Sequence, residues 1–261
     1  MTDRSPSRIE IAQVGIEMIR FGAGRPLLFL HPGIGIASDA AVLRRLADGA
    51  EVIAPSHPGF GRSDQPPEMN SIDDLAYFYL DLMDALELKD AIVVGVSFGG
   101  WIAAEIAVKS TTRIGQLVLA DALGIKVSDR ETRDIVDIFA LTEPEVMELA
   151  YFDPKSQQRD YRSMAENELV VVARDREALA RYGWSPYMHD PKLLGRLHRV
   201  RVQTLVLWGA ADRIVLPNYG RAYAAAVPGA RFELVERAGH FPHIEAPEAF
   251  AERVLRFARE R

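Results

Sequence analysis

The sequence predicts an α/β fold with a mostly parallel sheet, and two observations lead to this class. Short apolar segments typical of strands alternate along the chain with longer stretches of helical periodicity, as in parallel strands joined by right-handed crossovers. The length of 261 residues and the hydrophobic content of 48% suit one domain with an insertion and a sizeable core. In such a fold the reactive loops gather at the carboxyl ends of the strands.

The first part of the chain predicts a hairpin followed by the first strands of the sheet. Residues 9–14 and 16–21 alternate in polarity around Gly15, as the two strands of a hairpin do. Ser71 is predicted to cap a helix, since Asp73 in the first turn suits the helix dipole. The remaining predicted elements of this part are strands at 27–31 and 51–55 and a helical segment around 40–47.

A serine stands alone at a predicted strand-to-helix corner. Ser97 follows the apolar run 91–94 and precedes the alanine-rich segment 101–108. Gly95 and Gly99 flank it, and nearly side-chain-free positions are needed where a strand and a helix approach closely. This is the pattern of a nucleophile elbow, in which a strained turn presents a serine hydroxyl to the substrate. A glycine-rich turn without chemistry is the alternative that this short motif leaves open.

Partners for this serine follow further along the chain. A serine hydroxyl needs a base to take its proton and an acid to orient that base. Asp212 lies just past the predicted strand 204–209, and His240 lies on a loop after the predicted strand 231–236. Asp121, at the end of another predicted strand, is a rival candidate for the acid, although capping or bracing its loop is the favoured interpretation.

With these motifs the chain resembles the α/β-hydrolase superfamily, whose members carry a serine, an acid and a histidine in this order. Ser97, Asp212 and His240 match that pattern residue by residue, and residues 26–35 and 56–64 are similar to two further loops of the family. The resemblance covers nearly the whole chain. It implies an eight-stranded, mostly parallel sheet with helices on both faces and a helical cap, and it makes the three residues a catalytic triad.

The resemblance also implies an oxyanion hole, with one departure from the family pattern. The turn is usually His-Gly, whereas this chain has Pro32 at the second position, and proline has no N–H to donate. The predicted donors are therefore the N–H groups of Gly33 and of Phe98, the residue after the nucleophile. Ile34 is an alternative to Gly33.

The segment after Asp121 is too long for a single crossover helix, and Ile135, Ile138 and Phe139 form one helical stripe within it. The family resemblance makes this segment a cap over the active site. The predicted parts are a hydrolase core of residues 1–122 and 190–261 and a helical cap of residues 123–189. Apolar lining below the cap suits an apolar or aromatic substrate group. The predicted substrate-binding residues are Ile34, Phe139, Trp184, Met188 and Phe241.

Composition argues against several classes of partner and chemistry. A net charge of −6, with Lys and Arg scattered along the chain, provides no basic patch for nucleic acid or anionic lipid. The absence of cysteine excludes disulfides and thiol catalysis. No His, Asp and Glu cluster at ligand spacing and no glycine-rich phosphate loop appear, so we predict no metal and no cofactor. By resemblance, His31 and His57 brace their loops instead of transferring protons.

Location and assembly are predicted less specifically. Residues 1–7 are polar and charged, and no apolar run is long enough to span a bilayer. The sequence therefore predicts a cytoplasmic enzyme that acts on a small molecule, without a signal peptide or a membrane span. It leaves the oligomeric state open, with a homodimer among the options.

The main functional prediction is a serine hydrolase that cleaves a carboxylic ester of a small, largely apolar substrate through an acyl-enzyme. One alternative is a lactonase, or a hydrolase of a carbon–carbon bond in a ring-cleavage product. Relatives of the latter kind usually carry asparagine before the nucleophile, where this chain has Val96. A ligand receptor built on the hydrolase fold is the alternative from another class. The sequence identifies neither the substrate nor its acyl and alcohol parts.

Overall fold

Eight strands form one sheet in the described part of the chain, residues 7–260 of a computed structural model. In chain order they are β1 (Ser7–Ile11), β2 (Val14–Gly22), β3 (Pro26–Leu30), β4 (Glu51–Pro55), β5 (Ala91–Val96), β6 (Ile114–Ala120), β7 (Gln203–Gly209) and β8 (Arg231–Val235). Their order in the sheet is β1-β2-β4-β3-β5-β6-β7-β8. The pairs β1–β2 and β2–β4 are antiparallel, and the other pairs are parallel. The predicted hairpin and the mostly parallel sheet are confirmed.

Helices cover both faces of this sheet, as predicted. They are α1 (Ala40–Leu46), α2 (Ile72–Ala85), α3 (Phe98–Lys109), α4 (Glu143–Ala150), α5 (Glu166–Gly183), α6 (Leu193–Arg196), α7 (Pro217–Ala226), α8 (Pro242–Glu245) and α9 (Pro247–Arg259). Helices α1 and α9 pack on one face, and α2, α3 and α7 pack on the other. Helices α4 and α5 lie in the segment predicted as the cap.

The helix-forming signals of the sequence act locally. Ser71 caps α2 because its hydroxyl accepts a hydrogen bond from the N–H of Asp74, while the Asp74 carboxylate accepts one from the N–H of Ser71.

No helix within residues 7–260 combines the length and the apolar character that crossing a membrane requires. Residues 1–6, which carry most of the prediction that no signal peptide is present, lie outside the described residues.

Two apolar layers hold the helices against the sheet. Phe29 and Val94 pack with Phe250 of α9 on one face. Leu28, the neighbour of Phe29, points to the opposite face because side chains alternate along a strand, and there it joins the cluster that contains Tyr79 of α2. All six residues of β5 are buried, which explains why this strand has a continuous apolar sequence instead of an alternating one.

The predicted helical stripe of Ile135, Ile138 and Phe139 is wrong, since this segment forms an irregular loop. The N–H of Ile138 donates to the hydroxyl oxygen of Tyr187 at 2.9 Å. The N–H of Val136 donates to a backbone carbonyl of the core at 3.1 Å. Both donors would be needed within a helix, so tertiary partners replace the local ones. The apolar spacing reflects contact with the interior and not helical periodicity.

Strand β5 and helix α3 approach each other so closely that only glycine fits at their junction. A Cβ atom on Gly95 would lie 2.3 Å from the carbonyl oxygen of Gly99. A Cβ atom on Gly99 would lie 2.1 Å from the carbonyl oxygen of Leu30 in β3. Both distances are far below van der Waals contact, and the opposing atoms belong to the backbone. The two glycines therefore set the position at which α3 begins.

Gly99→Ala should lower the free energy of unfolding by about 3 kcal/mol, because the added methyl group overlaps backbone atoms at the centre of the sheet. Gly195→Ala is the control, since no atom outside its own helix lies within 4 Å of the position of its Cβ atom. This control should leave stability unchanged or raise it by up to about 1 kcal/mol. Urea unfolding measures both variants. Equal stability of Gly99→Ala and the parent would show that the junction relaxes without cost.

Candidate active site

Ser97 occupies the turn between β5 and α3. Its backbone angles are φ 52° and ψ −114°, a conformation that residues other than glycine rarely adopt. The N–H of Ser97 donates to the carbonyl oxygen of Ala120 at 2.8 Å, and the carbonyl oxygen of Ser97 accepts from the N–H of Leu123 at 3.1 Å. These bonds to the end of β6 hold the strained turn, and the side chain of Ser97 lines the main cavity.

Hydrogen bonds join the three residues that the sequence predicts as a triad. Ser97 Oγ lies 2.7 Å from His240 Nε2, and His240 Nδ1 lies 2.8 Å from Asp212 Oδ2. The three residues are only 4%, 4% and 1% exposed, respectively. An ionised carboxylate only accepts hydrogen bonds, so Nδ1–H donates to Asp212 and the Nε2 lone pair accepts from the hydroxyl of Ser97. In this arrangement the imidazole has the geometry of a general base for the serine.

Loop contacts fix the orientation of Asp212 and His240. Asp212 Oδ1 accepts hydrogen bonds from the N–H groups of Ile214 at 2.8 Å and Val215 at 3.0 Å. The N–H of His240 donates to the carbonyl oxygen of Ala150, the last residue of α4, at 2.7 Å. Arg213, the neighbour of Asp212, donates its N–H to the carbonyl oxygen of Leu149 in α4 at 3.2 Å, so the acid loop and the histidine loop both depend on the segment between β6 and β7.

Asp121, the rival candidate for the acid, lies at the same edge of the sheet as Asp212. Its carboxyl group bonds to a different residue. Its Oδ1 accepts from the N–H of Gly209 at 2.8 Å, so this carboxyl braces the end of β7. Asp121, Asp212 and His240 form a cluster in which one ligand atom of each lies within 4.8 Å of the others. The group has the residue types of a metal site, but Asp212 and His240 already bind each other. The absence of a metal requirement stays a prediction.

The predicted oxyanion donors flank Ser97. Gly33 lines the same cavity as Ser97. Phe98 is the first residue of α3, where a backbone N–H has no partner within the helix and lies at the positive end of the helix dipole. Gly33 follows Pro32 in a turn closed by a bond from the N–H of Gly35 to the carbonyl oxygen of Pro32 at 3.1 Å. The assignment of these two N–H groups to an oxyanion stays a prediction.

His31 and His57 form a buried pair below this turn. Their rings stack with centroids 3.7 Å apart. The N–H of His57 donates to His31 Nε2 at 3.0 Å, and His57 Nε2 bonds to the carbonyl oxygen of His31 at 2.9 Å. Burial lowers the pKa of His31 to about 4 and lowers that of His57 well below its usual value. Both rings are therefore neutral and tie two loops together.

The main cavity opens above Ser97 and His240, and its walls come from the core and from the segment between β6 and β7. Four of the five predicted substrate-binding residues line it: Ile34, Phe139, Met188 and Phe241. The fifth, Trp184, does not line it, and its role in substrate binding stays a prediction. Trp184 follows the end of α5 and is 61% exposed, with its ring centroid 5.8 Å from that of Phe139. It packs on the outer side of a lining residue.

The polar side of this cavity was not predicted from the sequence. Its polar lining residues are Glu143, Gln157, Arg159, Tyr161, Asp175 and Arg176. Asp175 is buried, and its Oδ1 accepts from the N–H of Gly61 at 2.8 Å. Burial raises its pKa to about 6 against the opposing effect of that hydrogen bond. A signal was present, because Asp175 lies on the buried stripe of α5 with Ala178, Leu179 and Tyr182.

Two further carboxyls that carry no motif brace the histidine loop. Asp39 Oδ1 lies 3.0 Å from His243 Nε2, and both side chains are fully buried. The pair links the loop after β3 to the loop that carries His240. Glu245 accepts hydrogen bonds from the N–H of Gly239 at 2.7 Å and from the N–H of Phe152 at 2.9 Å. The contacts of Asp39 with His243 and of Glu245 with Phe152 join residues far apart in sequence, which explains why no local pattern indicated them.

The fold and this serine site define a class of protein, the α/β hydrolases. A family model described as "Alpha/beta hydrolase family" matches residues 27–253. The chain belongs to this family.

Curated relatives match over nearly their full length. The 2-hydroxymuconate semialdehyde hydrolase of Pseudomonas sp. (strain CF600) is 28% identical, over 92% of this chain and 88% of that protein. The 2-hydroxy-6-oxo-2,4-heptadienoate hydrolase of Pseudomonas putida is 26% identical, over 88% of this chain and 87% of that protein. The first is named for a semialdehyde of 2-hydroxymuconate and the second for a 2-hydroxy-6-oxo dienoate.

Solved structures share the fold. A mutant of the meta-cleavage product hydrolase CumD, an enzyme of Pseudomonas fluorescens IP01, aligns with a TM-score of 0.81 and 23% identity, covering 98% of each chain. A thermophilic esterase from Thermogutta terrifontis aligns with a TM-score of 0.76 and 22% identity, covering 98% of this chain and 99% of the other. The same fold therefore occurs in a meta-cleavage product hydrolase and in an esterase.

Ser97→Ala should reduce turnover of any substrate by about six orders of magnitude, the loss expected when the nucleophile of a triad is removed. The thermal melting temperature should stay within about 2 °C of the parent value, because the change deletes one oxygen without disturbing the backbone turn. Ser163→Ala, at an exposed serine, is the control and should retain full activity. More than a tenth of the parent turnover in Ser97→Ala would mean that another residue attacks the substrate.

Asp175 should make stability depend on pH. Its pKa rises from 3.8 to about 6 on folding, so the folded state binds more protons between these values and its contribution to stability falls as pH rises through that window. Asp175→Asn cannot ionise and still accepts from Gly61. Relative to the parent, it should therefore gain roughly 3 kcal/mol of stability between pH 3.5 and pH 7.5. Urea unfolding at both pH values measures the difference in stability between the variant and the parent. The same difference at both pH values would contradict the prediction.

Proposed function

We propose that this chain hydrolyses a carbon–carbon bond in a ring-cleavage product of the 2-hydroxy-6-oxo dienoate type, with Ser97 as the nucleophile. The observation that carries the proposal is a hydrogen-bonded Ser97, His240 and Asp212 in a chain that matches curated hydrolases of such substrates over most of its length. This reverses the order drawn from the sequence, in which ester cleavage came first.

The proposed reaction has two halves, the formation of an acyl-enzyme and its hydrolysis. Ser97 Oγ attacks the C6 carbonyl carbon while His240 Nε2 takes the hydroxyl proton and Asp212 stabilises the imidazolium. The N–H groups of Gly33 and Phe98 bind the oxyanion. Bond cleavage requires the keto tautomer of the substrate, in which the proton of the 2-hydroxyl group has moved to C5. The C5–C6 bond of this tautomer then breaks, its electron pair delocalises onto the C2 carbonyl oxygen, and His240 returns its proton to the resulting dienolate. Water, deprotonated by His240, releases the acyl group from Ser97 as a carboxylic acid.

The cavity supports a substrate with an apolar middle and an anionic end. Ile34, Met188 and Phe241 provide apolar walls near the nucleophile. Arg159 and Arg176 provide positive charge on the same cavity, and a guanidinium is well suited to a carboxylate.

A second candidate is ester hydrolysis, and a specific observation favours it. Val96 stands where hydrolases of ring-cleavage products usually carry asparagine, and it is fully buried in β5. A valine offers no hydrogen bond to a polar substrate group. Ester cleavage needs only the triad and the oxyanion donors, because the alcohol leaves without help from a conjugated system.

The two candidates should separate in a direct comparison. The value of kcat/KM for a 2-hydroxy-6-oxo dienoate should exceed that for p-nitrophenyl acetate by about 30- to 150-fold, since charge-assisted contacts to the carboxylate contribute about 2 to 3 kcal/mol. Loss of the dienoate chromophore and release of p-nitrophenol report the two rates. Turnover of the ester alone would establish the second candidate. A single equivalent of product from every substrate would indicate a receptor.

Arg159→Gln provides a test of how the anionic end is bound. It should lower kcat/KM for the dienoate by about 10- to 100-fold through the loss of a charge-assisted contact. The rate for p-nitrophenyl acetate, which has no carboxylate, should stay within about twofold of the parent rate by the same reasoning. Equal losses for both substrates would show that Arg159 maintains the cavity and does not recognise the carboxylate.

A further inference from the structure

Asp121 has structural features that bracing a loop does not require. It is fully buried and adopts a φ of 44°, a strained backbone conformation for a residue with a side chain. Its N–H donates to the carbonyl oxygen of Leu207 at 3.0 Å, and its Oδ1 accepts from the N–H of Gly209 at 2.8 Å. Both bonds continue the pairing with β7 one residue past the end of β6. They hold the carboxyl group of Asp121 beside the turn that carries Asp212.

The two carboxyl groups differ in the donors that surround them. Asp212 accepts hydrogen bonds from the N–H groups of Ile214 and Val215 and from His240 Nδ1–H, all between 2.8 and 3.0 Å. Asp121 accepts one, and its Oδ2 is buried without a partner in hydrogen-bond geometry among the described residues. Three donors favour the negative charge on Asp212, whereas an unpartnered, desolvated oxygen disfavours it on Asp121.

Two negative charges at this spacing are costly in the absence of water. A carboxyl oxygen of Asp121, one of Asp212 and a ring nitrogen of His240 lie within 4.8 Å of one another. Burial, the Asp212 carboxylate and the more distant Glu245 all raise the pKa of Asp121, and together they hold it well above the usual range despite the Gly209 N–H. A proton on Oδ2 would turn the unpartnered acceptor into a donor, with the Asp212 carboxylate as the acceptor within reach.

We propose that Asp121 is a neutral carboxylic acid in the working protein and acts as a positioning residue that donates a hydrogen bond to Asp212 and so holds the acid partner of His240. The site then contains one negative charge beside the imidazole and not two. That difference matters for the base, because a second negative charge would stabilise the imidazolium relative to the neutral imidazole. The proposal rests on the proposed triad and not on the identity of the substrate.

The test compares variants that change charge without changing shape. Asp121→Asn keeps an oxygen acceptor for the Gly209 N–H and an N–H donor toward Asp212. If Asp121 is neutral, this variant should leave the pKa of His240, followed by NMR of labelled histidine, within about 0.3 units of the parent value. Asp212→Asn is the positive control, since it removes the charge that faces the imidazole. It should lower the pKa of His240 by more than about one unit.

A second measurement detects the proton itself. The infrared difference between the parent and Asp121→Asn at neutral pH should contain the carbonyl stretch of a protonated carboxylic acid, contributed by the parent. The absence of that band, or a fall in the pKa of His240 in Asp121→Asn as large as in Asp212→Asn, would overturn the proposal. Neither measurement needs a substrate, so an error in the proposed reaction would not be mistaken for an error here.

Turnover separates positioning from a purely structural role. On whichever substrate the parent hydrolyses, Asp121→Asn should keep kcat within about tenfold, because its amide still donates to Asp212. Asp121→Ala removes the donor, which makes Asp212 more basic. It should lower kcat by about 10- to 100-fold and move the acidic limb of the pH profile upward. An acidic limb that moves downward in Asp121→Ala would identify Asp121 as a second anion.

Discussion

The packing of α3 against the centre of the sheet is the constraint on which the site depends. Gly95 and Gly99 leave no room for a side chain, so the chain must turn from strand to helix within one residue, and Ser97 takes the strained conformation at that turn. Hydrogen bonds from the end of β6 hold it there. The same approach of α3 brings the N–H of Phe98, at the start of the helix, next to the hydroxyl group.

Parallel strands then bring the remaining residues to this turn. Asp212 and His240 follow β7 and β8 and reach Ser97 because all three strands end at one edge. The histidine also depends on the segment between β6 and β7. Its N–H bonds to Ala150 at the end of α4, and Glu245 ties Gly239 to the chain that follows this helix. A displacement of α4 would therefore move the base as well as the cavity wall.

The core and the three triad residues could be predicted because their signals are local. Continuous apolar runs mark the buried strands, paired glycines mark the elbow, and the order of serine, acid and histidine identifies the superfamily. The segment between β6 and β7 could not be predicted as well. Phe139 belongs to a loop whose N–H groups bond to distant partners, and Trp184 points outward although it is large and apolar. Such outcomes depend on tertiary contacts that no spacing encodes.

The choice between reactions is made by the residues that line the cavity and not by the triad. Attack, oxyanion binding and proton return are the same for an ester and for a 6-oxo dienoate, so Ser97 and His240 do not distinguish them. The leaving group differs, since a carbanion must delocalise into a carboxylate-bearing chain that the protein holds in plane. Arg159 lowers the pKa values of Asp39 and Asp175, two buried acids whose pKa values burial raises. Under the proposed function, this balance of charge would set how well the cavity accepts the anionic end of the substrate, and hence which bond lies at Ser97.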